Sequence, residues 1–145
     1  MKNYTLLLAL ASALLVTSCS KDDDNNGGGS GTPAVTNTSK LCNKDWKIEA
    51  VRVGGFDVTT QFLQPCDLDN LTRFLTDGTV SNDEGPTKCD PANPQTSTGT
   101  WSFADNETKL VLDGDTANLL TNSGTVLKIG ISDPTVGNIE VEFGL

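Results

Sequence analysis

A strong β-hairpin signal lies near the middle of the chain. Two strand-forming segments, predicted near residues 69–76 and 79–84, flank Asp77-Gly78, and an Asp-Gly pair in this setting is typical of a tight turn between antiparallel strands. A proline-rich stretch then forbids regular pairing over residues 85–98, because proline has no backbone N–H for a strand ladder. The folded part of the chain is therefore expected to be built from antiparallel strands.

Period-two alternation of apolar and polar residues continues on both sides of this hairpin. Segment 41–53 changes phase between Ala50 and Val51, which indicates either one strand with a β-bulge or a strand that changes faces as it bends round a barrel. A short helical turn is expected near residues 57–63, with Asp57 as its cap. Further strands are predicted over residues 99–103, 108–112, 115–121, 125–131 and 138–145. The aromatic residues expected in the core are Trp46, Phe74, Trp101 and Phe103.

Eight short strands with mostly short connections predict an all-β fold, an antiparallel up-and-down meander. Closing the meander into an eight-stranded barrel removes its unpaired edges. An immunoglobulin-type sandwich is the alternative, but that pattern places a Trp between two bridged cysteines, and none lies between Cys66 and Cys89. We therefore predict a barrel that occupies residues 41–145 as one domain.

The meander also predicts a disulfide. Both termini and the turns near residues 77, 105 and 123 fall at one end of such a meander, and the long loops fall at the other. Cys66 and Cys89 lie in two of the long loops, so their pairing is expected in an oxidising compartment. Cys42 is then either buried as a small apolar side chain or free for intermolecular pairing.

Residues 1–18 are expected to be a secretory signal peptide. They carry one positive charge, at Lys2, followed by an apolar stretch and small residues, and the stretch is too short for a membrane-spanning helix. Residues 15–19, Leu-Val-Thr-Ser-Cys, resemble the bacterial lipobox. That resemblance implies cleavage before Cys19, diacylglycerol on its sulfur and acylation of the new amino group by a chain such as palmitate. An ordinary signal peptide with an incidental cysteine is the alternative.

Residues 19–40 are expected to hold the lipidated cysteine and a flexible Gly/Ser/Asp linker. Residues 20–24, Ser-Lys-Asp-Asp-Asp, resemble the export tag of surface lipoproteins of Bacteroidota. This resemblance implies an outer-membrane lipoprotein exposed at the cell surface. The alternative is that a charged, solvated stretch keeps the linker off the bilayer.

Residues 41–145 resemble the lipocalin-like domain of Bacteroidota lipoproteins. The resemblance is carried by Trp46, Cys66, Asp69, Phe74, Asp77-Gly78, Cys89 and the Gly-Thr-Trp-Ser-Phe segment at 99–103. Lys44 departs from the wider lipocalin pattern, which has Gly two residues before the Trp. The resemblance implies a small calyx or a filled barrel, without a cofactor.

The composition argues against several classes of function. A formal charge of −9 repels nucleic acid. The chain contains no histidine, which removes the Ser-His and Cys-His nucleophile pairs and the usual zinc ligands. Carboxylates are plentiful, but no pair stands apart as a hydrolase site, so we expect a protein that is not an enzyme.

The long-loop end is the expected ligand site, and it should point away from the membrane because the linker enters at the other end. The candidate residues there are Phe56, Phe62, Asp69, Asp113 and Asp115. An acidic mouth suits a neutral, sugar-like or cationic ligand, or a hard cation such as Ca²⁺. Neither Asp-x-Asp pair continues as an EF-hand loop, so solvated turn residues are favoured and no metal site is predicted.

Residues 115–117, Asp-Thr-Ala, resemble an O-glycosylation site of Bacteroidota, which makes Thr116 the candidate acceptor; an ordinary turn Asp is the alternative.

Taken together, these features of the sequence favour a monomeric, surface-anchored, non-enzymatic ligand-binding module. The alternative function is a protein–protein interaction or inhibitor module, or an accessory subunit of an outer-membrane complex. A barrel core filled by its own side chains would remove the pocket that the first function needs.

Overall fold

The computed structural model describes residues 34–145. The predicted signal peptide (1–18), Cys19 and the tag-like residues 20–24 lie outside the described residues. The helical elements are α1 (Asn37–Leu41), α2 (Thr59–Phe62) and a 3₁₀ turn (Pro65–Asp67). The strands are β1 (Lys47–Val53), β2 (Phe56–Asp57), β3 (Leu71–Phe74), β4 (Thr79–Asp83), β5 (Thr96–Ala104), β6 (Lys109–Leu112), β7 (Asp115–Asn122), β8 (Val126–Asp133) and β9 (Gly137–Gly144).

The strands form one antiparallel sheet in the order β2-β1-β9-β8-β7-β6-β5-β4-β3. This confirms an all-β antiparallel meander. One helical turn was predicted, and α1 and the 3₁₀ turn are additional. The prediction of eight strands in a continuous closed ladder is wrong, because residues 34–145 form a sheet of nine strands and its edge strands β2 and β3 do not pair. The chain before β1 approaches β3 only through one isolated antiparallel bridge between Trp46 and Thr72.

The ninth strand arises at Gly54-Gly55. Both glycines have positive φ, 58° and 85°, and together they form a two-residue turn that pairs Val53 with Phe56. Glycine adopts this left-handed conformation without a Cβ penalty. The predicted helical turn near 57–63 is present as α2, but its N-cap is Val58 and not the predicted Asp57. Asp57 Oδ1 instead accepts hydrogen bonds from the backbone N–H and the hydroxyl of Thr59. These two donors hold the pKa of Asp57 below its usual value.

The segment before β1 differs from its prediction. Residues 41–46 are not part of the strand, because α1 occupies residues 37–41 and ends in an irregular turn. Thr36 caps α1 with a capping box, in which the Thr36 hydroxyl accepts from the Ser39 N–H and the Thr36 N–H donates to the Ser39 hydroxyl oxygen. The predicted bulge is present in β1, where the register with β9 shifts between Ile48 and Ala50.

The core contains the predicted aromatic side chains. Trp46, Phe74 and Trp101 are buried, and Phe103 packs against them partly buried. Trp101 makes edge-to-face contacts with Phe74 and Phe103, at centroid distances of 5.6 Å and 5.3 Å. The Trp101 indole N–H donates to the Leu75 carbonyl at 2.8 Å, so the polar atom of this buried ring is satisfied.

The predicted disulfide joins Cys66 to Cys89, with a Cα–Cα distance of 5.3 Å. Cys42 is a free thiol buried in the core, as the first of its two alternatives expected, and burial raises its pKa. Within the described part of the chain, no helix is long and apolar enough to cross a membrane.

Candidate functional site

A cavity of about 260 Å³ lies on the inner face of the sheet. Its lining comes from β1, β3, β4, β6, β8 and β9 and is mostly apolar, with Ile48, Phe74, Val80, Leu110, Leu112, Leu127, Ile129 and Phe143. The space is partly open to solvent, and several of the side chains that line it, such as Phe74, Val80 and Ile129, are almost fully buried. It is therefore an apolar cleft at the edge of the core.

A second cavity, of about 360 Å³, lies beside the first where β7 and β8 separate. The ladder between these strands reaches only to the pair Asn118–Gly130, so residues 115–117 pair only with β6 and residues 131–133 only with β9. Leu112 and Ile129 line both cavities. The two spaces therefore adjoin, and the separation of β7 and β8 opens the inner face to the side.

One end of the sheet is closed by α1 and the turn that follows it. Leu41 and Trp46 are fully buried there, and the Trp46 indole N–H donates to the Leu41 carbonyl at 2.9 Å. The Lys44 ammonium donates to the Gly124 carbonyl at 2.5 Å, which ties this turn to the β7–β8 connection. The β6–β7 turn at Asp113, which lines the first cavity, lies at the opposite end of β7, the end predicted to be the mouth.

Asp113 is held rigidly at this mouth. Its backbone has φ of 49°, a conformation that Asp and Asn adopt more readily than most residues. Its Oδ1 accepts the Thr100 backbone N–H at 2.7 Å, and its carboxylate packs against the backbone of Gly99, where a Cβ would clash with it. The carboxylate lines the first cavity.

We predict that Gly99→Ala lowers the free energy of unfolding by about 1–3 kcal/mol, the usual cost of overpacking. The added methyl group meets a carboxylate that the Thr100 N–H holds in place. Chemical denaturation of both proteins measures the change.

Gly130→Ala is the matched control, because Gly130 is also a strand glycine. A Cβ at Gly130 meets only the side chain of the exposed Leu120, with its nearest atom at 3.2 Å, which can rotate away. We expect a change within about 0.5 kcal/mol for this variant. Equal destabilisation by the two substitutions would contradict the role assigned to Gly99.

The structure brings together two of the five predicted mouth residues. Asp115 is exposed and lines the second cavity, next to Asp113 of the first. Phe56 and Phe62 are 77% and 52% exposed and line neither cavity. Asp69 lies in the disulfide loop, where its Oδ2 accepts the Thr87 N–H at 3.1 Å.

Two polar residues of the cavity did not emerge from the sequence. Thr72 and Asn82 line it, and the Thr72 hydroxyl donates to Asn82 Oδ1 at 3.0 Å. They precede Phe74 and follow Val80 by two positions, so their place on the inner face follows from strand periodicity. Their polar character pointed instead to the solvent face, which explains why they were missed.

Among residues 34–145, the one cluster with metal-ligand spacing is Cys66, Asp67 and Cys89. Both sulfurs belong to the disulfide, so neither is a thiolate that can bind a metal. Asp67 Oδ2 accepts the Gln64 N–H at 2.7 Å. The cluster is therefore a stapled turn, and it gives no support to the Ca²⁺ hypothesis.

The outer face of the sheet carries a third space, an open groove of about 530 Å³ over β1, β7, β8 and β9, which shares Ile131 and Ser132 with the second cavity. Its charged lining residues are Arg52 and Glu140, which are paired at 3.1 Å. Glu142 beside them contacts Arg52 and Lys128 at 2.5 Å and 3.0 Å, and these cations hold its pKa below the usual value. The charges here neutralise one another.

Thr116, the predicted glycosylation acceptor, is exposed on β7.

No protein-family model matches the chain. No curated protein matches it either.

Proposed function

We propose that this chain is a surface-anchored lipoprotein whose β-domain binds a small ligand without catalysing a reaction. The observation that carries the proposal is the inner cavity of about 260 Å³ beside the aromatic core. An unfilled apolar space reduces stability relative to a packed one. A protein that keeps such a space open toward its mouth is suited to filling it with a ligand.

We further propose that the sheet curls into a lipocalin-like barrel that is only partly closed. Ile48 of β1 and Thr72 and Phe74 of β3 line the same cavity, although these strands lie near opposite ends of the sheet order. The Asn43 N–H donates to the Phe74 carbonyl at 2.8 Å, beside the Trp46–Thr72 bridge. These contacts support closure at the α1 end, with the mouth left open.

The anchor and its geometry belong to the same proposal. Acylation at Cys19 and export by residues 20–24 would attach the chain to the outer membrane at the cell surface. Asn122 donates its side-chain N–H to the Asn37 carbonyl at 2.9 Å, so α1 sits beside the β7–β8 turn. A linker that leads into α1 would then hold the closed end toward the membrane and the mouth away from it.

A second candidate is a protein-interaction, inhibitor or accessory-subunit role for the loops at the mouth. Phe56, Phe62 and Val136 are large apolar side chains exposed on these loops. Exposed apolar surface of this kind marks interaction sites when it is contiguous. A protein partner retained by the native chain, and lost in a Phe56→Ser, Phe62→Ser double variant, would favour this role over the first.

Native mass spectrometry of the full chain, purified from its own cells, tests the ligand-binding proposal. We expect an added mass that is absent after denaturation and that the Leu112→Trp variant has lost, because Leu112 lines both cavities. Leu120→Trp, at an exposed position on the outer face, should retain it. A folded wild-type chain without added mass, or retention by Leu112→Trp, would contradict the proposal.

A further inference from the structure

The lining of the two cavities separates into an apolar interior and an acidic rim. The interior is formed by aliphatic and aromatic side chains such as Phe74, Leu110 and Ile129. The charged residues that line the cavities are Asp113 and Asp115, and within the described residues neither lining includes a lysine or an arginine. A ligand in this space therefore meets apolar contacts along its length and negative charge at one end.

The rim carboxylate is prepared to receive a hydrogen-bond donor. Asp113 Oδ1 is fixed by the backbone N–H of Thr100 at 2.7 Å and by its hydroxyl at 3.3 Å. Its Oδ2 accepts no hydrogen bond from the described part of the chain. One oxygen thus orients the group, and the other keeps the capacity to accept a bond from an ammonium head.

The interior disfavours the other ligand types that an acidic mouth would admit. A sugar needs hydrogen-bond partners around its whole edge, but the polar pair Thr72 and Asn82 already bond to each other, and the other walls are apolar. An anionic amphiphile such as a fatty acid would place its carboxylate beside Asp113 and Asp115. The negative charges of the ligand and of the two aspartates repel each other, and this repulsion disfavours binding of a fatty acid.

We infer that the inner cavity binds a small cationic amphiphile, with its ammonium group at Asp113 and its apolar tail against Ile48, Leu112 and Ile129. The inference rests on the proposed ligand-binding function and adds the ligand class. The inner cavity, about 260 Å³, lies below the ~300–1,000 Å³ of pockets for drug-sized ligands. The tail is therefore a single slim chain.

Calorimetric titration of the full-length chain with n-octylamine, 1-octanol and octanoate at pH 7 tests this, because the three probes share one tail. We expect octylamine to bind about fivefold more tightly than octanol, the upper range for a solvent-accessible ion pair. Octanoate should bind more weakly than both. Asp113→Asn should reduce octylamine affinity to that of octanol and leave octanol unchanged, because Asn still accepts the Thr100 N–H.

Asp90→Asn is the matched control. It removes the same charge from an exposed loop position that lines neither cavity, and octylamine should bind this variant as it binds the wild type. Equal affinities for the three probes, or the same loss in Asp90→Asn as in Asp113→Asn, would overturn the cationic ligand while leaving the pocket in place. Binding of none of the probes by the folded chain would overturn the proposed pocket itself.

Discussion

Replacing Trp46 with alanine is expected to lower the free energy of unfolding by about 4 kcal/mol, within the range for large aromatic side chains in cores. Trp46 is fully buried, and its indole N–H satisfies the Leu41 carbonyl at 2.9 Å. Its backbone also forms the bridge to Thr72 that joins the chain before β1 to β3. The substitution therefore removes both buried apolar surface and the side chain that packs between α1 and the sheet. Denaturant unfolding followed by circular dichroism measures the loss.

Two further variants separate these contributions. Trp46→Phe keeps a ring in the core but leaves the buried Leu41 carbonyl without its donor, so it should cost about 1–3 kcal/mol. Phe62→Ala removes an exposed aromatic ring of α2 and should change stability by less than about 0.5 kcal/mol. If Trp46→Ala were no more destabilising than Phe62→Ala, the stabilising role assigned to Trp46 at the α1 end would be contradicted.

Loss of the Cys66–Cys89 disulfide is expected to lower the free energy of unfolding by about 3 kcal/mol, as the chain-entropy model gives for a loop of this length. The bridged cysteines are 23 positions apart, and the loop contains the whole β3–β4 hairpin. Without the bridge, the unfolded chain regains the freedom of that loop. Urea unfolding of the Cys66→Ser, Cys89→Ser variant measures the change.

Reduced wild-type protein is the internal control for this prediction. Reduction with dithiothreitol should shift the urea midpoint of the wild type to that of the double variant and should leave the variant unmoved. Cys42 remains free in both proteins, so it does not contribute to the difference. Equal midpoints for oxidised and reduced wild type would show that the bridge adds no stability.

The inner cavity lies next to the aromatic core. Filling a cavity normally stabilises a protein. Here the aromatic side chains lie directly beside the space and leave it unfilled. Trp101 packs edge-to-face on Phe74 and Phe103 on one side of the interior, whereas Phe74 also lines the cavity. The aromatic cluster therefore forms part of the wall of the cavity and does not fill it.

Local signals in the sequence predicted the local elements well. Asp77-Gly78 forms the β3–β4 turn, and the Asp77 carboxylate accepts the Thr79 N–H at 2.9 Å. The alternation over residues 138–145 corresponds to β9. Both features depend on residues within a few positions of one another, and turn chemistry and strand period report such contacts directly.

Elements that depend on distant partners were predicted less well. α1 is only five residues long and is too short to be stable alone; it is stabilised by the burial of Leu41 and by the contact of Asn37 with Asn122. The separation of β7 from β8 beyond the pair Asn118–Gly130 leaves no mark in the alternation of either strand. The second cavity follows from that separation, and it was not predicted.

The sequence by itself determined most of the strands and the aromatic core, because alternation and turn residues act over short stretches of chain. The meander built from those strands then brought Cys66 and Cys89 to one end, which predicted their pairing. It also placed Asp113 and Asp115 at one end of the meander. Only the tertiary structure decided that the sheet has nine strands with unpaired edges and that its inner face keeps a cavity. Edge pairing and cavity volume depend on how the side chains of distant strands pack together, and a local sequence pattern does not report such contacts.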